Sequence, residues 1–480
     1  MTAELEPDPV LPRAHELTAR GRQLTAGAAI PAAVSNAPHR LNTILGWTLI
    51  AILALAPIPL GSNRPAFWTI WATVIGLVSV GYGLALMFLQ APARQPLSRF
   101  WPEFYAFCVL LAWLVVQRLP IGGWLPSALP PVPGIGIPVR SISLDPGSTL
   151  MTLLNFATYG LLFVLVLQAG VNRRRARTML MALFLIVAAS AAFGLVSLVQ
   201  LGDTLLGFEK LDYKGVATGT FVNRNSFATF LAAGLAMGIP LLLDEPGRRR
   251  SLGQLGTWIQ PSLVLLGLLF IAATLLATNS RMGAAAGLAG VVVALTLSFL
   301  NAEKGRARWW ALAIPVGAAV AVAVLYGAGT LERSLLTDGD PGREELYRQV
   351  WPAILERPLT GYGGGSFEMV FPAFQHAPLG ANDTIWDKAH STYLSLWFEL
   401  GLIGGSIPLL IIAALSSRAV RSLGDPSSRA ISIAALAVTV VFAVHSLLDF
   451  SAEIMANAFL FTAVLALGAA GTGKSRAGER

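Results

Sequence analysis

Residues 387–405, DKAHSTYLSLWFELGLIGG, pass within a few positions from a charged segment into an apolar run that continues to about residue 416. Such a run is long enough to cross the ~30 Å hydrocarbon layer of a bilayer as a helix. Two of its residues fit that setting poorly. His390 stands where the polar segment becomes helical, and Glu399 follows half a turn around a straight helix and about 13 Å along its axis. The two side chains therefore do not touch on one helix. Glu399 is expected to pair instead with a group on another span, such as an asparagine, a tyrosine or Arg281.

The same pattern runs through the chain. Of 480 residues, 55% are hydrophobic and 12% charged, against roughly a quarter charged in ordinary globular domains. Apolar runs of spanning length recur at about 43–60, 66–89, 103–119, 149–171, 178–201, 226–243, 261–279, 282–301, 309–328, 392–416, 430–449 and 454–472. They predict an all-α polytopic membrane protein with about twelve transmembrane helices. The first 40 residues hold no apolar core of signal-peptide type, so the first run is expected to remain as an anchor.

The net charge of +8 is carried in short clusters between apolar runs, for example Arg173 to Arg177, Arg248 to Arg250, and Arg418, Arg421 and Arg429. No basic groove interleaved with aromatics is present, which excludes nucleic acid as a partner. With the N-terminus in the cytoplasm, every inside segment contributes lysine or arginine, as the positive-inside rule requires. The expected organisation is a disordered cytoplasmic arm over 1–41, spans one to nine over 42–328, a periplasmic loop over 329–391, spans ten to twelve over 392–472, and a cytoplasmic tail over 473–480. The single cysteine, Cys108, allows no internal disulfide and no cysteine metal site. No tandem repeat or inverted pair of interrupted helices stands out, which weighs against a transporter.

The long loop is polar, glycine-rich and aromatic, a composition that argues for function rather than disorder. In GREELYRQVWPAILERP (342–358), Leu346, Val350 and Ile354 form one helical stripe flanked by Tyr347 and Trp351. This predicts a short interfacial helix on the outer membrane surface, kinked or split at Pro352. Spacing favours an interfacial anchor whose arginines, Arg343 and Arg348 among them, snorkel; the sharper alternative has Arg343, at the start of the stripe, facing a lipid phosphate. The following PLTGYGGGSF (358–367) reads as a turn, with anion binding by its amides as the alternative.

Further candidates lie at span boundaries on the same side. In TNSRMG (278–283), Arg281 occupies a very tight connection at the hydrocarbon edge, where an arginine is costly unless paired or snorkelled. In GTFVNRNSFATF (219–230), Asn223, Asn225 and Ser226 can cap span six, which leaves Arg224 available for an anionic ligand. His390 precedes Ser391, a reasonable N-cap, so its imidazole lies near a helix N-terminus whose positive end favours the neutral base. A purely structural histidine fits the same position. His445 and Asp449 can pair on one face of span eleven, and with no third ligand nearby a metal site is not supported.

Taken together, AHSTYLSLWFELGLIGG, TNSRMG, GREELYRQVWPAILERPLTGYGGGSF and GTFVNRNSFA resemble the O-antigen ligase and polymerase superfamily. The resemblance covers roughly residues 200 to 410. It implies a bacterial inner-membrane glycosyltransferase of lipopolysaccharide or polysaccharide biosynthesis, metal-independent and inverting, without a cofactor. The donor would be a glycan on undecaprenyl pyrophosphate, and the acceptor a sugar on lipid A-core or on a growing glycan. By position, His390 matches the proposed general base, and Arg281 and Arg343 match arginines thought to hold the pyrophosphate. Arg224, Asn225, Tyr347 and Arg348 are candidate substrate-binding residues, while Glu399, His445 and Asp449 are candidate structural polar groups. A polymerase of lipid-linked repeats remains an alternative within the class, and a multi-spanning transporter or lipid flippase one outside it.

Overall fold

The structure, a computed structural model, describes residues 32–121, 140–301, 341–377, 379 and 386–472. The predicted ninth span, 309–328, lies outside the described residues, as do most of the 120–148 loop, the first part of the long loop, the N-terminal arm before residue 32 and the tail after 472.

Each of the other eleven predicted spans coincides with a helix. These are α1 (Ala32–Leu55), α2 (Pro65–Phe88), α3 (Trp101–Arg118), α4 (Pro146–Gly170), α5 (Arg173–Val199), α6 (Arg224–Leu243), α7 (Glu245–Ala277), α8 (Arg281–Leu300), α11 (Thr392–Arg421), α12 (Arg429–His445) and α13 (Met455–Ala469). The long loop adds α9 (Pro341–Glu356) and the single turn α10 (Phe367–Val370). Among the described residues, eight helices are long and apolar enough to cross a membrane, and α1, α12 and α13 contribute shorter apolar segments.

The helix termini follow local chemistry. Asp145, Asn172, Asn223 and Ser280 each accept a backbone N–H at the start of α4, α5, α6 and α8. Helix α6 is the most enclosed of the long helices, packed among α5, α7, α8 and α12. Small residues allow that closeness: a Cβ on Gly283 of α8 would lie 2.4 Å from Ala228 Cβ of α6.

The two ends of the bundle differ. At one end Arg175 donates to Thr43 Oγ1, Arg173 donates to the Gly471 carbonyl, and Arg418 forms a two-pronged pair with Glu103. Residues 43 and 471 thus lie at the same end. The opposite end carries the 200–223 segment, the long loop and the turn after α12.

That opposite end is organised by a break in α11. Gly401 has φ +76° and ψ 166°, which ends one helical piece at Leu400 and starts another. The chain folds back there, so that Trp397 Nε1 bonds Ser406 Oγ at 3.2 Å. The second piece alone, Leu402 to Arg421, is about 30 Å long and matches the hydrocarbon thickness. The groups released by the break are taken up by the long loop and by α3. Tyr362 N–H donates to Phe398 O, Gly363 N–H to Glu399 O, Leu402 N–H to Pro358 O and Trp113 Nε1 to Leu400 O. Gln117 donates to both Thr360 O and Glu399 O and accepts from Gly364 N–H.

The loop has its own core. Leu346, Val350 and Ile354 are buried as the stripe predicts, but against Tyr362, Phe367, Phe371, Phe374 and Phe398 instead of the membrane surface. These aromatics offer a contiguous apolar face, which a helix stripe buries more completely than an interface would. Helix α9 also runs unbroken through Pro352, so of the predicted kink or split the split does not occur.

A Cβ at Gly401 would lie 2.4 Å from the Leu359 carbonyl oxygen. Gly401→Ala is therefore expected to lower stability by about 1–3 kcal/mol or more, read as a reduced melting temperature in detergent. Gly76→Ala on α2, where a Cβ meets nothing, is the control and should be neutral or slightly stabilising.

Candidate active site

The predicted residues from four separate stretches meet where α6, α8, α9, α11 and α12 begin or end. Asn225, in the first turn of α6, is the hub. Its Nδ2 donates to Asp449 Oδ2 at 3.2 Å, and its Oδ1 accepts from Ser280 Oγ at 2.8 Å. Ser280 is the N-cap of α8 and immediately precedes Arg281. Arg224 and Arg281 therefore flank a single side-chain hydrogen bond.

Arg224 lies over the Tyr213 ring, with Cζ 5.5 Å from its centroid. Asn223, the N-cap of α6, reaches the Tyr213 hydroxyl at 3.3 Å. Burial raises the Tyr213 pKa above the usual phenol range; Arg224 and Arg343 oppose that shift, and Asp449 and Asp212 reinforce it. The 202–223 segment thereby joins the cluster, through a residue the sequence reading passed over. This segment is fixed by an ion pair of Asp203 with Lys210 and by Gly215 N–H on Asp203 Oδ2 at 2.6 Å.

From the long loop, Arg343 Nη1 donates to the Leu448 carbonyl at 3.0 Å, beside Asp449. Tyr347, one turn along α9, donates its hydroxyl to the His390 carbonyl at 2.8 Å. Arg348 is not part of this cluster. It is displaced by about 100° around the helix and pairs with Glu345 on an exposed surface.

His390 adopts a left-handed backbone with φ +50°, uncommon for a non-glycine residue. Its ring packs edge-on between Trp386 and Phe450, at centroid distances of 5.3 and 5.2 Å. Ser391 holds the N-cap position of α11 as expected, yet its hydroxyl does not cap that helix and donates to Ser446 O. Thr392 reaches the same carbonyl with its N–H and Asp449 O with its hydroxyl. These bonds fasten the start of α11 to the turn after α12.

His445 and Asp449 remain neighbours, with Nδ1 and Oδ1 3.9 Å apart, beyond hydrogen-bond reach. Helix α12 ends at His445, so the expected pair persists as a close buried approach without a hydrogen bond. The hydrogen bonds to Asp449 come from Asn225 and Ser451.

Glu399 also departs from expectation. Its carboxylate accepts the backbone N–H groups of Gly365 and Phe367, and Lys388 faces it. Its partner is thus the glycine turn, not an asparagine, a tyrosine or Arg281. The amides of the turn thus serve an internal carboxylate, and a Cβ on Gly363 would lie 2.3 Å from Ser143 Oγ, so the turn is packed against its neighbours.

Among the described residues, Arg224, Arg281 and Arg343 gather at this end near His390 with Asp449 and Asp212, a balance suited to an anionic ligand. The O-antigen ligase family model matches residues 266–409. That match places the segment in the O-antigen ligase superfamily. The segment amounts to less than half of the chain, runs from α7 through the first piece and the break of α11, and contains Arg281, Arg343, His390 and Glu399. Arg224, Asn225, His445 and Asp449 lie outside the matched ligase segment yet border the same cluster. Comparison with curated proteins gives no match. The family supports an integral membrane protein of glycan ligase or polymerase type, acting on lipid-linked glycan and an acceptor.

Asn225→Leu removes one partner each from Ser280 and Asp449. We expect it to lower the melting temperature in detergent and Ser280→Ala to do so less. The double variant should be less destabilised than the sum, by a coupling of about 0.5–3 kcal/mol.

Proposed function

We propose that this protein is a glycosyltransferase of the inner membrane, transferring an oligo- or polysaccharide from undecaprenyl pyrophosphate to an acceptor sugar on the periplasmic side. The observation that carries this reading is the convergence of His390, Arg281, Arg343 and Arg224 around the Asn225–Asp449 hub, on a chain whose 266–409 segment matches the O-antigen ligases. The arginine-rich positions at the opposite end of the bundle support a cytoplasmic assignment for that end and for residues 43 and 471.

In this reading the imidazole of His390 takes the proton of the acceptor hydroxyl as its oxygen attacks the anomeric carbon. Attack comes from the face opposite the pyrophosphate, so the configuration inverts. The bond from the anomeric carbon to the pyrophosphate oxygen breaks, and the electron pair leaves with the lipid carrier. Arg281 and Arg343 stabilise the charge that grows on that oxygen as the bond lengthens. Arg224, Asn225 and Tyr347 line the donor site, with Tyr347 also holding the His390 backbone. No step of this sequence uses Arg348, which pairs with Glu345 at the surface. The protein's organisation follows as a cytoplasmic arm, a membrane bundle interrupted by the periplasmic loop, and a cytoplasmic tail.

Ligation and polymerisation share this donor chemistry and differ in the acceptor, a lipid A-core sugar or the end of another lipid-linked chain. Deletion of the gene is expected to leave long chains on the carrier, the outcome of a lost ligase. Single repeats left on the core would assign polymerisation instead.

His390→Ala is expected to lower glycan transfer by about 10²–10⁴-fold with membrane levels and melting temperature unchanged. Arg281→Ala should do the same, and Arg343→Lys should be impaired because a point charge does not replace a planar fork. Wild-type transfer in His390→Ala and Arg281→Ala would overturn the reading, and transport by reconstituted liposomes without glycosidic bond formation would replace it with a carrier.

A further inference from the structure

Behind His390 lies a second group of charges that the transfer chemistry does not use. Lys388 Nζ stands 3.3 Å from Glu453 Oε2, and both side chains are largely shielded from solvent. Lys388 is also under the influence of Glu399 and Asp387, and Glu453 acts on Glu399. The ammonium therefore pairs with a carboxylate from the short helical turn Ser451–Glu453, and its charge acts on the carboxylate of the first piece of α11. Burial works to lower the Lys388 pKa, but the facing carboxylates outweigh it and hold the pKa above the usual lysine value.

The position of this pair in the chain gives it significance. Lys388 is two residues before His390, and Glu453 is three residues after Phe450, whose ring packs against the imidazole. The ion pair thus ties together the two segments that enclose His390, Trp386–His390 on one side and Asp449–Glu453 on the other. Beyond Tyr347 on its carbonyl and the ring contacts of Trp386 and Phe450, the left-handed backbone at His390 depends on that enclosure. Without the ammonium, the Glu453 carboxylate would lose the cation that joins these two segments, and the tie between them would be gone.

We propose that Lys388 is a positioning residue for His390, acting through its ion pair with Glu453. This rests on the reading of His390 as the base, and the test separates the two. The full-length protein in nanodiscs is treated with diethyl pyrocarbonate at pH 7, and carbethoxylation of each histidine is followed by peptide mass spectrometry. Lys388→Met is expected to raise the rate at His390 about tenfold, the effect of releasing a ring from one packed rotamer, while the exposed His376 keeps its wild-type rate. Lys388→Arg, which retains the charge, should return His390 to the wild-type rate. Glu453→Gln leaves the ammonium its Glu399 neighbour and serves if Lys388→Met does not fold; it should raise the His390 rate as well. An unchanged His390 rate in the folded variant, or no recovery with Lys388→Arg, overturns the proposal. A raised rate restored by arginine, in a protein whose His390→Ala variant transfers glycan normally, keeps the positioning role and removes the base assignment.

Discussion

The interruption of α11 at Gly401 and its closure by residues 358–363 of the long loop set the geometry of the whole site end. A helix broken near the hydrocarbon exposes carbonyl and amide groups that lipid cannot satisfy. Here Phe398 O, Glu399 O, Leu400 O and Leu402 N–H find partners on Tyr362, Gly363, Trp113, Gln117 and Pro358. The loop is consequently built into the bundle, and its aromatic core, closed by the α9 stripe, places Arg343 and Tyr347 above the turn after α12.

A second constraint joins the ends of other helices. Asn225, Ser280 and Asp449 link the starts of α6 and α8 to the segment following α12, and Thr392 attaches the start of α11 to the same segment. Each of these groups is polar and substantially enclosed, so each bond is worth more than its surface equivalent and its loss leaves an orphan. The arginines are carried by the residues next to these bonds. Their convergence therefore follows from helix-end packing, and does not depend on their own long side chains finding one another.

Among the described residues, the arginine cluster and the carboxylates around Lys388 divide the electrostatics. In front, Asp449 is outnumbered by arginines, which favours an anion there. Behind, Lys388 sits with Glu453 and Glu399, and Glu399 is further stabilised by two backbone amides of the glycine turn. The imidazole of His390 lies in an aromatic enclosure made by Trp386 and Phe450.

Much of this was legible in the residues. Apolar runs located eleven of the observed helices because burial in lipid demands a length of about twenty residues, and the spacing of Leu346, Val350 and Ile354 fixed the buried face of α9. Polar residues at helix starts, Asn223 and Ser280 among them, carried the caps. The break at Gly401 was not legible, because a glycine within an apolar run is common in membrane helices and only the approach of the loop backbone makes it obligatory. Nor were Tyr213, Lys388 and Glu453, whose roles come from neighbours distant in sequence. Arg348 and Tyr347 look alike as candidates along the chain, yet helical rotation sends one to the surface and the other to His390. By itself the sequence determined the membrane class, the positions of the helices and the residue types available for chemistry at their ends, since hydrophobic length and capping are local properties. Only the tertiary structure decided which of those ends meet, what Glu399 binds and how His390 is held, because each depends on hydrogen bonds and ion pairs between segments far apart in the chain.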